Sequence, residues 1–120
     1  MRKQIITKNG ASIVVLHSDE VLIADGQSAL DLIASAFYND NCEHMLLNKA
    51  AIAEEFFTLS SGMAGEVLQK FINYGMRLAI VGNFGGYTSK ALKDFIYESN
   101  RGNNIFFAAT EQEGVDKLGS

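Results

Sequence analysis

The feature that most constrains the fold of this chain is an apolar run that breaks at a glycine-rich turn and continues as a helical pattern. It occupies residues 77–96, with the sequence RLAIVGNFGGYTSKALKDFI. The run Leu78–Val81 is too short for a helix and has no polar alternation, which is typical of a strand buried on both faces of a sheet. From Thr88 onward apolar residues recur at helical spacing. The stretch therefore predicts a strand, a loop and a helix, the unit from which α/β folds are built.

The same unit recurs on both sides of this stretch. The apolar runs 45–47 and 105–108 predict two further buried strands. We expect helices to begin at Ser28, after Ser61 and after Thr110; Ser28 and Thr110 are each followed three residues later by a carboxylate, as in a capping box. Strands that alternate with helices imply βαβ units with right-handed crossovers, and hence a mostly parallel sheet covered by helices.

The amino-terminal part differs from this pattern. Two β-branched runs, Gln4–Thr7 and Ala11–Leu16, are joined by Lys8-Asn9-Gly10. Because Asn-Gly accepts positive φ at both turn positions, this sequence predicts a β-hairpin. A length of 120 residues suits a single domain. The predicted fold class is thus α/β, with a hairpin followed by alternating strands and helices over residues 1–120.

Composition excludes several classes of function. The net charge of −4 disfavours nucleic-acid binding, which usually needs a basic face. No apolar run approaches the roughly 20 residues that cross a bilayer, and the first ten residues lack the apolar core of a signal peptide. The single cysteine, Cys42, suits a reducing compartment. With only His17 and His44 beside it, ligands for a metal are too few. We expect a cytoplasmic protein without membrane, metal or cofactor.

The strand pattern also predicts where a site would lie. In open α/β sheets ligands bind beyond the carboxyl ends of the strands, and free N–H groups of helix starts at that edge attract anions. The loops after the predicted strands supply the candidate residues for binding a ligand or a partner. These are Asn48, Lys49, Glu54, Phe57, Gly82, Asn83, Thr88, Ser89 and Lys90.

The glycine-rich loop 82–90 has two interpretations. Its glycines, with Thr88 or Ser89 as donor and Lys90 as cation, would suit a phosphate. The Gly-Lys-Ser/Thr order of the Walker pattern is missing, however. We favour a flexible connection in which Thr88 or Ser89 caps the next helix.

Residues 51–57 carry a weak helical pattern with two adjacent pairs. Neighbouring residues of a helix point about 100° apart, so Glu54 and Glu55 cannot act on one bond as an acid–base pair. By the same geometry Phe56 and Phe57 cannot both enter one core face. Either one of these rings is exposed to a partner, or both pack between core and loop, which we favour.

The stretch HMLLNKAAIAEEFFTLSSGMAGEVLQKFINYGMRLAIVG resembles the STAS domain of bacterial anti-anti-sigma factors. Leu46-Leu47-Asn48 is similar to the family's strand, and Ser60-Ser61-Gly62 is similar to its Asp-Ser-Ser-Gly loop, with Leu59 in place of the aspartate. FFTLSSGMAGEVLQKFINY and YTSKALKDFIYESNRG also resemble the uncharacterised bacterial domain of unknown function 4180 family.

The STAS resemblance implies a non-catalytic regulatory or protein-interaction domain. It marks Ser61, with Ser60 beside it, as a candidate phosphorylation site, and another protein as the partner. Simple helix capping by Ser60 or Ser61 is the competing explanation, and we favour it on the sequence alone because Leu59 is not acidic. The alternative function is a small-ligand or nucleotide-binding domain that holds a small anionic ligand at loop 82–90.

Overall fold

Five strands that follow their order in the sequence form the central sheet of this computed structural model, which describes residues 1–120. The strands are β1 Arg2–Lys8, β2 Ala11–His17, β3 His44–Asn48, β4 Arg77–Val81 and β5 Ile105–Ala108. The helices are α1 Gly26–Tyr38, α2 Met63–Asn73, α3 Lys90–Arg101 and α4 Glu111–Leu118. Only β1 and β2 are antiparallel, and the other neighbours are parallel. The predicted fold class is confirmed.

The hairpin has the predicted turn. Asn9 and Gly10 both have positive φ, at 52° and 83°. This conformation matches the right-handed twist of the two flanking strands and fixes the pairing of Lys8 with Ala11.

The two faces of the sheet are covered unequally. Each crossover steps to the next strand in the same direction, so right-handed connections place α1, α2 and α3 on one face. That face holds a core of 24 buried residues, whereas the other, covered by α4, holds seven. The three-helix face therefore supplies most of the buried apolar contact.

The helix α4 lies unusually close to the sheet. A Cβ built on Gly114 would lie 2.8 Å from Leu46 Cδ1 and 3.3 Å from Val81 Cγ2. At the carboxyl end of α4, the guanidinium of Arg77 donates to the carbonyl of Leu118 at 2.8 Å. A cation at this end satisfies a free helix carbonyl and interacts favourably with the helix dipole.

One helix start differs from its prediction and another agrees with it. The helix α1 begins at Gly26, because Asp25 is the N-cap and Ser28 is the third residue of the first turn. Asp25 Oδ1 accepts from Ser28 N at 2.8 Å, and Ser28 Oγ accepts from Asp25 N at 3.1 Å. The capping box is thus Asp25 with Ser28, three residues before the predicted pair Ser28 and Asp31. The helix α3 begins at Lys90 with Ser89 as its N-cap, which confirms the favoured interpretation that Thr88 or Ser89 caps this helix.

The predicted weak helix over 51–57 is also wrong. Residues 49–61, which we call the connecting segment, form three short 3-10 turns, at Lys49–Ala51, Glu54–Phe57 and Leu59–Ser61. Phe56 and Phe57 are both buried in the core, as in the favoured alternative. A single 3-10 turn does not have to present one α-helical face, so adjacent rings can both point inward.

The imidazole of His44, at the start of β3, should make stability pH-dependent. Burial, then the positive charge of Arg77, lowers the pKa of His44 below 6.5, while Glu43 opposes this shift. The unfolded chain therefore binds the proton more readily, so this contribution is complete above pH ~6.5 and is lost as the pH falls below it. We expect His44→Asn to flatten the decline of the urea midpoint between about pH 7.5 and 5.5. His17→Asn, at the exposed end of β2, is the control; equal slopes in both variants would contradict the prediction.

Candidate functional site

Three predicted loops start at the same edge of the sheet. Asn48 pairs with Val81, and Val81 pairs with Ala108, so β3, β4 and β5 end level with one another. The connecting segment and loop 82–90 therefore leave the sheet side by side. We call the surface that they form the carboxyl-edge surface.

The side chain of Asn48 connects this edge to the end of β2. Its Nδ2 donates to the carbonyl of Ser18 at 2.7 Å, and its Oδ1 accepts from the N–H of Ser18 at 2.9 Å. Ser18 itself is buried. Because each amide atom has a backbone partner in Ser18, Asn48 positions this edge of the sheet.

Replacing Asn48 with alanine is expected to lower the free energy of unfolding by about 1–2 kcal/mol, because two backbone groups of Ser18 lose their partners. Urea unfolding followed by circular dichroism measures this change. Asn83→Ala is the matched control, since its side chain accepts one local bond from Gly85 in an exposed loop. Equal losses in the two variants would contradict a positioning role for Asn48.

The connecting segment is fixed by backbone pairing with the chain that follows β2. The carbonyl of Ala51 accepts from Leu22 N at 2.7 Å and from Ile23 N at 3.0 Å. The N–H of Ala53 donates to the carbonyl of Ile23 at 2.9 Å. These bonds, with the two buried phenylalanines of the second turn, give the segment a defined shape although it has no regular helix or strand.

Four side chains of the carboxyl-edge surface form one network, the edge cluster: Lys49, Glu54, Phe57 and Tyr87. Tyr87 donates its hydroxyl to Glu54 Oε1 at 2.8 Å, and Lys49 Nζ lies 3.4 Å from Glu54 Oε2. The rings of Phe57 and Tyr87 stack with centroids 5.5 Å apart. Lys49 Nζ lies 5.1 Å and 5.0 Å from these two centroids.

Gly82 allows the edge cluster to assemble. A Cβ on Gly82 would lie 2.7 Å from Lys49 Cβ, so only glycine lets the lysine stem pass this close to the end of β4. The predicted proximity of these two loops is confirmed.

The charges of the edge cluster are balanced within it. The Tyr87 hydroxyl, and more weakly the Glu54 carboxylate, raise the pKa of Lys49, while burial opposes the shift. Burial, followed in the same direction by Glu54, raises the pKa of Tyr87, although Lys49 opposes this shift. Near neutral pH Lys49 is thus an ammonium and Tyr87 a phenol. Neither is an activated nucleophile or general base.

The polar groups of loop 82–90 serve the loop and α3. Asn83 Oδ1 accepts from Gly85 N at 3.0 Å, and Ser89 Oγ accepts from Leu92 N at 3.2 Å. Lys90 pairs with Asp94 on its own helix at 2.7 Å. Thr88 is exposed. In this arrangement the loop connects β4 to α3, Ser89 caps α3, and the ammonium of Lys90 points along that helix.

Ser61 lies at the junction between the connecting segment and α2, and it is exposed. Its hydroxyl donates to the carbonyl of Glu55 at 2.7 Å and accepts from the N–H of Met63 at 3.2 Å. Gly62 follows in the left-handed conformation, with φ of 80°. Ser60 is exposed too, but its side chain makes no hydrogen bond within the chain. Ser61 thus holds the second turn and also helps to cap α2.

Sequence reasoning did not single out Tyr87. An aromatic residue after two glycines was the available signal, but its partner Glu54 lies 33 residues away. It also missed two surface concavities away from the carboxyl edge. One, of about 230 Å³, lies at the opposite end of the sheet beside His44. The other, of about 250 Å³, lies between α1 and the exposed ring of Tyr74.

No helix is both long and apolar enough to span a membrane. No group of three or more His, Cys, Asp or Glu side chains is placed to hold a metal ion.

Comparison with known proteins gives one match. A family model described as Domain of unknown function (DUF4180) matches residues 8–118. The predicted resemblance to this family is thereby confirmed. No curated protein matches the chain, and no solved structure matches it.

Proposed function

Since the chain belongs to the family described as Domain of unknown function (DUF4180), which names no activity, we propose a function from the carboxyl-edge surface itself. The chain is a cytoplasmic bacterial regulatory domain with a STAS-like fold, and it acts by binding another protein without catalysis. Its docking surface is the connecting segment with the start of α2, and phosphorylation of Ser61 releases the partner.

The observation that carries this proposal is the position of Ser61. Its hydroxyl is exposed, precedes a helix of 11 residues and holds the turn that carries Glu54 and Glu55. A single modification at this atom would change both the charge and the shape of one surface. The non-catalytic part is supported by the edge cluster, whose charged groups are already paired with one another.

The modification needs a kinase and a nucleoside triphosphate. The Oγ of Ser61 attacks the γ-phosphorus, the nucleoside diphosphate leaves, and the hydroxyl proton passes to a base of the kinase. The phosphoserine carries a charge of about −1.5 to −2 at neutral pH. The amino end of α2 favours this charge, but the new ester oxygen has no proton to donate to Glu55.

Site-specific photo-crosslinking in the native cells tests the proposal. A photoreactive residue in place of the exposed Glu55 should capture one protein, whereas the same residue in place of Lys117, on α4 at the other face, should not. Ser61→Asp should abolish the Glu55 crosslink.

Ser60→Asp is the matched control, because it adds the same charge at an exposed neighbour whose side chain makes no hydrogen bond within the chain. It should keep the crosslink. If Ser61→Asp leaves the crosslink pattern of both faces unchanged, the proposal is wrong.

The alternative of a small-ligand or nucleotide-binding domain has less support. Loop 82–90 lines neither concavity, and Lys90 already pairs with Asp94. A stable complex with a nucleotide would nevertheless raise the melting temperature, and a thermal-shift screen measures this.

A further inference from the structure

We infer that the edge cluster transmits the state of Ser61 to loop 82–90, so that loss of the Ser61–Glu55 hydrogen bond releases Tyr87 and adds this loop to the switched surface. The inference rests on the proposed function for its natural trigger. The transmission itself is a property of the isolated chain.

The first step is the bond from Ser61 to the turn Glu54–Phe57. The carbonyl of Glu55 accepts from Ser61 Oγ at 2.7 Å and from Thr58 N at 3.1 Å. Phosphorylation removes the only proton on Oγ, and it places negative charge beside a carbonyl oxygen that is itself the negative end of a dipole. The carbonyl of Glu55 and the phosphate must therefore separate.

The second step lies within the same turn. Glu54 precedes Glu55 directly, and its carboxylate is the shared acceptor for the Tyr87 hydroxyl and the Lys49 ammonium. This turn has only four residues, so the carbonyl of Glu55 cannot shift without also moving the neighbouring Glu54. Movement at Glu55 thus misaligns the carboxylate with the Tyr87 hydroxyl.

The third step is the response of the loop. The ring of Tyr87 is held by its hydroxyl, by stacking on Phe57 and by Lys49 above it. Its N–H donates to the carbonyl of Phe84 at 3.5 Å, and two glycines, Gly85 and Gly86, precede it. Phe84 stays anchored, because its ring also contacts Phe107 edge-on at 5.3 Å. Glycine gives the backbone the freedom to rotate, so Tyr87 can leave while the start of the loop remains in place.

Tyrosine acetylation with N-acetylimidazole tests this transmission on the purified chain. The protein is made with phosphoserine at position 61, and peptide mass spectrometry reads each tyrosine separately. Tyr87 is half-buried, whereas Tyr38, Tyr74 and Tyr97 are exposed and serve as internal standards. We expect the rate at Tyr87, relative to these standards, to rise about fivefold, the factor that one lost hydrogen bond of roughly 1 kcal/mol gives.

Three uncharged variants distinguish loss of the Ser61–Glu55 hydrogen bond from the effect of added negative charge. Ser61→Ala removes the donor without adding charge and should raise the relative rate at Tyr87 as well. Ser61→Thr keeps a hydroxyl and should leave the rate low, as should Ser60→Ala. The standards also report folding, since general unfolding would raise the rates at partly shielded Tyr74 and Tyr97 together with Tyr87.

The two proposals fail in different ways. An unchanged relative rate at Tyr87 with phosphoserine and with Ser61→Ala overturns the transmission, and the docking proposal then stands. A crosslink that survives Ser61→Asp overturns the docking proposal, and a raised rate at Tyr87 would still establish the transmission.

Discussion

Replacing Phe56 with alanine is expected to lower the free energy of unfolding by about 3–5 kcal/mol, the largest effect of any single change considered. The ring is fully buried and packs edge-on against Phe57, with centroids 5.0 Å apart. It is the deepest anchor of the connecting segment. Its removal leaves a cavity beneath the turn that carries Glu54 and Glu55, and the surrounding core can fill that space only in part.

Urea unfolding, with the midpoint and slope read from the same curve, measures this loss. Phe95→Ala, on α3, is the control, because this ring is only partly buried and should cost clearly less. If Phe56→Ala costs no more than Phe95→Ala, the connecting segment is not anchored as the packing indicates. Partial loss of the Glu55 photo-crosslink in Phe56→Ala would connect the anchor to the docking surface.

Replacing Gly114 with valine is expected to cost roughly 2–3 kcal/mol through overpacking. The new side chain would meet Leu46, Val81 and Ala79, the last with its Cβ 3.4 Å from the added Cβ. All of these positions lie between α4 and the sheet, where neighbouring strands leave little room. The helix α4 would have to move away from the sheet, and the seven-residue core on this face would lose packing contacts.

Gly65→Val is the matched control for this change. Gly65 lies in α2, is exposed, and an added Cβ would contact nothing within 4 Å. Its unfolding free energy should stay within about 0.5 kcal/mol of the wild type, because glycine and valine differ little in helix propensity. A small cost at Gly114, similar to that at Gly65, would show that the close approach of α4 is not needed for stability.

The parts of the fold that sequence reasoning predicted are those with local causes. Asn9 and Gly10 specify the hairpin turn by themselves, because few other residue pairs accept positive φ twice. The strand Leu78–Val81 was also clear, since a continuous apolar run of this length suits a strand buried on both faces. The sheet order could not be read, because it depends on pairings between distant segments.

The errors have local causes too. Ser28 fits the start of a capping box, but it also fits the third helical position that it occupies after Asp25, and the pattern alone does not choose between them. Residues 51–57 looked helical, because apolar residues on both sides of two adjacent acids suit an α-helix as well as a series of 3-10 turns. Backbone bonds from Ala51 and Ala53 to the chain after β2 decide the outcome.

For the candidate site, the sequence predicted which loops meet at one edge of the sheet but not their contacts. The carboxyl-edge rule brought Lys49 and Gly82 to the same edge. It could not show that the Asn48 amide bonds the backbone of Ser18, or that the Tyr87 hydroxyl donates to Glu54 in the edge cluster. These contacts join residues about 30 positions apart, and no local pattern encodes them.

Phosphopeptide mapping of the chain purified from its native cells, with and without phosphatase treatment, tests the central claim most directly. We predict a phosphate on Ser61 in part of the population, absent after phosphatase treatment, and none on the neighbouring Ser60. A Ser61 peptide that is recovered in full and stays unmodified under every growth condition sampled would contradict a Ser61-controlled docking surface.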